Sequence, residues 1–316
     1  MAGSIKRFGI GAALGCNCAL AACDVPPPVT PVLIPKSRPA VAAPIKVAQA
    51  TSEKSAALRS QLRAVQSSQL TNGLLLQDGG GPDTPFDAEM LVRNFKRLAF
   101  FNEYFTPGTP QGVPGQLRRW EKPIRFEVQF GASVPASQRR ADHADVAAYA
   151  QRLSKLTGHP ISMSGPANFY VLFVGEDDRA ATIDALVGRL PGVRAESLAS
   201  LRNLSPDIYC AVATYSERRG SSVYDSAVAV IRAENPDLLR LSCIHEELAQ
   251  AMGLANDSPD ARPSIFNDDD EFALLTAHDE RLLQMLYDPR LRTGMTMSQA
   301  DPILRVIAKE LILGPV

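Results

Sequence analysis

A chain of 316 residues with 45% hydrophobic content and a formal net charge of -1 can bury one good-sized core plus appendages. Its near-neutral balance, with no basic stripe and no run of interleaved aromatics, excludes nucleic acid as a partner class. Three of its five cysteines fall within the first 23 residues, so the N-terminus is the first segment to weigh.

Lys6 and Arg7 precede an apolar run from Phe8 to Ala22. That run is shorter than the roughly 20 apolar residues a membrane-crossing helix needs, which predicts a cleaved signal peptide over residues 1–22. It ends in Leu20-Ala21-Ala22-Cys23, which resembles the bacterial lipobox. The resemblance implies cleavage before Cys23, acylation of that cysteine, and a chain anchored through lipid in the bacterial cell envelope, facing the periplasm. Asp24 resembles an inner-membrane retention signal of enteric bacteria, without deciding inner against outer membrane. Residues 23–50 hold seven prolines between Pro26 and Pro44 and read as an extended tether.

Residues 51–115 read as an N-terminal helical segment. One helix is predicted from Ser52 to Val65 and a second from Thr84, with Pro85 at its first position, to about Tyr104, separated by Gly79, Gly80, Gly81 and Pro82. The second is rich in Phe95, Leu98, Phe100 and Phe101 and should pack on the main domain. From Trp120 the pattern changes, and alternation of Ile124, Phe126, Val128 and Phe130 predicts a half-buried strand. A helix follows from about Ser137 to Leu156, capped by Gly158. Strands are predicted at Asn168 to Val174, Ile208 to Ala213 and Ser226 to Arg232, with a helix from about Asp178 to Arg189. Asn235-Pro236-Asp237 opens a helix running to about Met252. Helices at Ala277 to Tyr287 and Ser298 to Leu311 complete an α+β domain with one mixed sheet.

Cys210 and Cys243 are an even pair in an exported chain, hence disulfide candidates, with two separate buried thiols as the alternative. The segment Cys243 to Asp257, CIHEELAQAMGLAND, carries the strongest chemical pattern. Residues four apart share a helix face, so Glu246 and Gln250 could converge on one ion with Glu247 beside it. Gly253 would then turn the chain and bring Asn256 back as a third contact.

This segment resembles the HExxHxxGxxH helix of metzincin zinc peptidases. Glu247, Gly253, Leu254 and Asp257 fall on the pattern, while Glu246, Gln250 and Asn256 fill the three histidine positions. His245 lies one residue too early, and its four-residue partner is Ala249. RRWEKPIRFEVQF resembles the Trp-led first strand of such domains. PSIFNDD resembles the Met-turn with Phe266 in place of methionine, and LTAHDERLLQMLYD resembles the closing helix. The resemblance places a metzincin-like domain over residues 116–292, followed by a C-terminal helix over 293–316. Taken together with LYDPRLRTGM, the chain resembles DUF2927, a family of proteobacterial proteins without a known activity, several described as lipoproteins.

The resemblance implies two functional classes. In the first, the domain is a pseudoenzyme acting in binding or assembly with envelope proteins or peptides, and Glu246, Gln250 and Asn256 form a hydrogen-bond network in place of a metal. In the second, it is a divergent metal-dependent hydrolase with Glu247 as general base. The oxygen ligand set then suits calcium or magnesium better than zinc. A blander reading makes Glu246, Glu247 and Gln250 a solvated helix face. The acidic run Asp268 to Glu271 could hold calcium, and His278 beside Asp279 could join His245 in a different metal set. His143 and His159 have no partner at ligand spacing.

Overall fold

The computed structural model describes residues 51–101, 113–190, 193–267 and 269–314. The signal segment, Cys23, the tether, Tyr104 and Asp268 lie outside these residues. Helix α1 (Glu53–Thr71) begins as the sequence suggests, with the Ser52 hydroxyl accepting from the Ser55 N–H. Helix α2 (Ala88–Phe100) starts later than Thr84: Asp87 is its cap, accepting from the Met90 N–H at 2.8 Å. The Thr84 hydroxyl donates instead to Gly81 O, closing the glycine-rich turn. The aromatic face of α2 is core, with Phe95, Leu98 and Phe100 buried.

Strand β1 (Arg119–Trp120) leads into β2 (Ile124–Phe130), and α3 (Ala136–Thr157) follows, ending at Gly158 in the left-handed conformation. A left-handed C-terminal residue costs glycine little because it lacks Cβ. Next come β3 (Ile161–Ser162), β4 (Phe169–Val174), α4 (Arg179–Asp184), α5 (Ala199–Arg202), β5 (Cys210–Tyr215), β6 (Val223–Tyr224) and β7 (Ser226–Arg232). Helix α4 is shorter than the predicted span to Arg189. Beyond Asp184 the chain continues in turns whose Leu186 and Leu190 join the core under the sheet.

The described residues form two sheets rather than the single one predicted. The main sheet has the order β3-β2-β4-β7-β5, parallel throughout except for antiparallel β5 at its edge. The second is the two-residue parallel pairing of β1 with β6. Such short pairings leave no periodicity to read. In β4, alternate residues serve opposite faces: Phe169, Val171 and Phe173 enter the larger core with α2, α3 and α6, whereas Tyr170, Leu172 and Val174 pack against the α4–α5 region. Both faces are covered, so β4 and β7 are buried at every position, as central parallel strands are.

Helix α6 (Asp237–Gln250) follows β7 directly, and α7 (Ala277–Leu286) and α8 (Met297–Leu313) close the fold. Contrary to the expected cap, Asn235 does not cap α6; its amide donates to Tyr209 O, and Pro236 occupies the cap position. Both α7 and α8 start with reciprocal capping boxes, Thr276 with Asp279 and Thr296 with Gln299. Among the described residues no helix is long and apolar enough to cross a membrane.

Candidate functional site

Helix α6 ends at Gln250, before the predicted Met252, and its exposed carbonyls are taken by aromatic side chains from other elements. The Trp120 indole N–H donates to Ala251 O at 2.8 Å and the Tyr287 hydroxyl to Met252 O at 3.0 Å. The Tyr149 hydroxyl reaches His245 O within the helix at 2.8 Å. The carbonyls at a helix end have no internal partner, so the Trp120 and Tyr287 donors fix the end of α6. Gly253 then turns the chain at φ 129°.

On the outward side of α6 lies a cavity of about 120 Å³ lined by Tyr209, Cys210, Glu246, Glu247, Gln250, Asp257 and Asp270. Two walls come from the sequence segment around Glu247, and two come from elsewhere. Tyr209 immediately precedes β5, which Cys210 opens, and Cys210 forms a disulfide with Cys243 of α6, with α-carbons 5.9 Å apart. The predicted pairing of these cysteines is therefore present, and it fastens the sheet edge to the helix. Asp270 stands opposite in a left-handed conformation at φ 55°, and its Oδ2 accepts from Gln69 Nε2 of α1 at 2.6 Å.

The side-chain ligand atoms of Cys210, Glu246 and Glu247 lie within 4.8 Å of one another. A disulfide sulfur is not a thiolate, so Cys210 contributes no ligand and the carboxylates remain. Glu247 is buried and Glu246 half-buried. Gln250 is buried too, and its Nε2 donates to Asp257 Oδ1 at 2.9 Å, tying the helix to the segment beyond Gly253. Asn256 is outside the cavity lining: its Nδ2 donates to Asp257 O at 2.7 Å and to Arg97 O of α2 at 3.2 Å. The structure thus brings together Glu246, Glu247 and Gln250 but sets Asp257, not Asn256, beside them. Tyr209 and Asp270 join from distant segments, and nothing in the local spacing around Glu247 points to either.

The histidines belong to other environments. His245 Nδ1 accepts from the Leu275 N–H at 3.0 Å and its ring stacks on Tyr149 at 4.1 Å. Burial, assisted by the Arg152 charge, lowers its pKa to about 3, so the ring is neutral. His278 is fully buried, with Nε2 3.1 Å from Asn94 Nδ2 and its ring edge-on to Phe86. His159 Nε2 donates to Lys122 O, and His143 is exposed on α3. In the acidic run, Glu271 pairs with Arg262 and Asp269 accepts from the Glu271 N–H, so its described members serve separate partners.

Phe266 is fully buried in the larger core beneath the turn after α6. Its carbonyl accepts from the Ser258 N–H at 2.9 Å, and Asp279 holds the preceding residues by accepting from Ser264 Oγ at 2.6 Å and the Ile265 N–H at 3.0 Å.

Every residue lining the cavity lies within residues 88–306, which match the family described as protein of unknown function (DUF2927). The chain belongs to the DUF2927 family. Helix α1, which supplies Gln69, precedes the DUF2927 match, whereas α2 and most of α8 fall inside it. No curated protein and no solved structure matches the chain.

Proposed function

We propose that this DUF2927 protein is a lipid-anchored component of the bacterial cell envelope, facing the periplasm, whose metzincin-like domain acts in binding or assembly rather than zinc chemistry. The anchor rests on the lipobox-like Leu20-Ala21-Ala22-Cys23. The metzincin likeness rests on the strand, helix, strand order leading into α6, on EExxQxxGLxND and on the Phe266 turn packed below it. Zinc does not fit here. The cavity offers oxygen donors with neither imidazole nor thiolate, whereas structural and catalytic zinc is held mainly by nitrogen and sulfur.

The observation that carries the binding reading is the Gln250 to Asp257 hydrogen bond across the turn after α6, which engages the residue at a zinc peptidase's second ligand position with a protein partner. A second reading, hydrolysis with a divalent cation, is favoured by the proximity of the Glu246 and Glu247 carboxylates in a mostly oxygen-lined cavity. That donor set suits calcium or magnesium, which Glu246, Gln250 and Asp257 would hold; the cation would acidify a water and Glu247 would accept its proton.

Elemental analysis of the chain purified without chelator separates the two. The binding reading expects no stoichiometric metal, and a full equivalent that disappears in a Glu246→Ala, Gln250→Ala variant would establish the second. The anchor is tested by radiolabelled palmitate, which should enter the parent chain and not Cys23→Ser.

A further inference from the structure

A second cavity, of about 370 Å³, sits where the turn from β5 to β6 meets the strand β1. Its lining includes Arg118, Arg218, Arg219, Ser216, Ser221 and Ser222, and none of these residues lines the cavity on α6. Arg118 is far in sequence from Arg218 and Arg219, which are neighbours in the turn. They meet because β1 pairs in parallel with β6, setting Arg119 opposite Val223.

Among the described residues, none of these three guanidinium groups forms an ion pair or a hydrogen bond to a carboxylate. The neighbouring cations are committed: Arg119 donates to the Leu286 and Leu291 carbonyls, and Lys122 to Asp225 at 2.8 Å. Asp225 lies within electrostatic reach of Arg218, but its oxygens accept from Lys122 and the Glu217 N–H. Glu217 acts on Lys122 and does not line the cavity.

The hydroxyls are also sorted. Ser216 Oγ donates to Val223 O at 2.6 Å and Ser222 Oγ to Gln116 Oε1 at 3.1 Å. Ser221 Oγ accepts from the Val223 N–H at 3.1 Å, which leaves its own proton available to a ligand. Three uncommitted guanidinium groups and a hydroxyl donor around one hollow present many donors and, among the described residues, no acceptor charge. One guanidinium suffices for a carboxylate, but three forks match the several oxygens of a phosphate. The volume falls in the range of about 300 to 1,000 Å³ typical of small-molecule sites, larger than a bare ion requires. Among the described residues no aromatic ring lines it on which a nucleobase could stack.

We propose that this cavity binds the phosphate group of a phosphorylated small molecule or of an anionic phospholipid headgroup. The site is independent of the function proposed for the cavity on α6.

The test uses the full chain carrying Cys23→Ser, so that acylation cannot place it on vesicles. Glycerol 3-phosphate is titrated calorimetrically, and flotation compares phosphatidylglycerol with phosphatidylcholine vesicles. Binding to glycerol 3-phosphate, or an excess on phosphatidylglycerol over phosphatidylcholine, is expected. Arg218→Ala with Arg219→Ala, both exposed in the turn, should weaken it about tenfold or more, as the loss of a charge-assisted contact does. Arg118→Ala should act in the same direction, while Arg63→Ala with Arg140→Ala, matched in charge, should leave binding unchanged. Binding of the soluble probe alone identifies a phosphorylated small molecule, and a vesicle excess alone identifies a headgroup. Absence of both overturns the proposal, as does binding that survives the turn variant or falls equally in the charge-matched one.

Discussion

Gly253 stands so close to Arg118 that a Cβ on the glycine would lie 2.4 Å from the arginine carbonyl oxygen. The obstruction is backbone and φ is 129°, so neither a rotamer change nor a side-chain shift relieves it. Gly253→Ala should therefore lower stability by about 3 kcal/mol or more. Chemical denaturation reads this as a lower midpoint; an unchanged midpoint would mean that the turn after α6 can open without cost.

His245 sets a pH dependence whose sign follows from its depressed pKa. The folded chain keeps the ring neutral down to about 3, against an ordinary value of 6.5. The unfolded chain takes up the proton first, so this contribution is complete above pH 6.5 and declines as pH falls toward 3. His245→Phe removes it. The stability advantage of the parent over that variant should shrink by about 2 kcal/mol between pH 7 and pH 5, at about 1.4 kcal/mol for each unit of difference in proton affinity. Paired denaturation curves at the two pH values measure it, and a constant gap would contradict the neutral ring.

The disulfide joins residues 33 apart in sequence. Closing a loop of this length restricts the unfolded chain by about 3 to 4 kcal/mol. Cys210→Ala with Cys243→Ala should lose that amount in guanidinium denaturation, and the oxidised parent treated with a reductant should move toward the variant.

Asp279, fully buried, accepts from Ser264 Oγ, the Ile265 N–H and the Thr276 N–H and shares the Thr276 hydroxyl with Pro263 O. Asp279→Ala leaves these buried donors without an acceptor and should cost about 3 to 5 kcal/mol. Asp279→Asn should cost less: one oxygen remains for the backbone donors, and the Ser264 hydroxyl can rotate to accept from the amide. Equal losses in the two variants, compared by thermal unfolding, would place the effect elsewhere than in hydrogen bonding.

Much of the architecture was readable because its signals are local. Alternation located β2, the run Ser226 to Arg232 located β7, and Gly158 marked the end of α3. Where two local signals competed, one misled: Thr84-Pro85 has cap chemistry, but Asp87 sits one turn closer to the apolar face and takes the role. The α6 cavity was legible only along its helix. Glu246, Glu247 and Gln250 share a face through helical geometry, whereas Asn256 follows a turn whose direction is decided by contacts with α2 through Arg97 O. Tyr209 and Asp270 arrive through sheet topology and through α1, which no spacing near Glu247 encodes.

Helix α1 touches the domain at both of its ends. At its start, the Ser52 N–H donates to Asp177 at 2.9 Å, Lys54 pairs with Glu176 at 2.6 Å and Ser55 Oγ donates to Glu234 at 2.5 Å. At its far end Gln69 holds Asp270. A mechanical load applied to the chain ahead of residue 51 would reach the first group of contacts before the second. Tension would be discharged into the loops that follow β4 and β7, at the rim of the parallel sheet, and the wall that Asp270 gives the α6 cavity would be strained only after those attachments had let go.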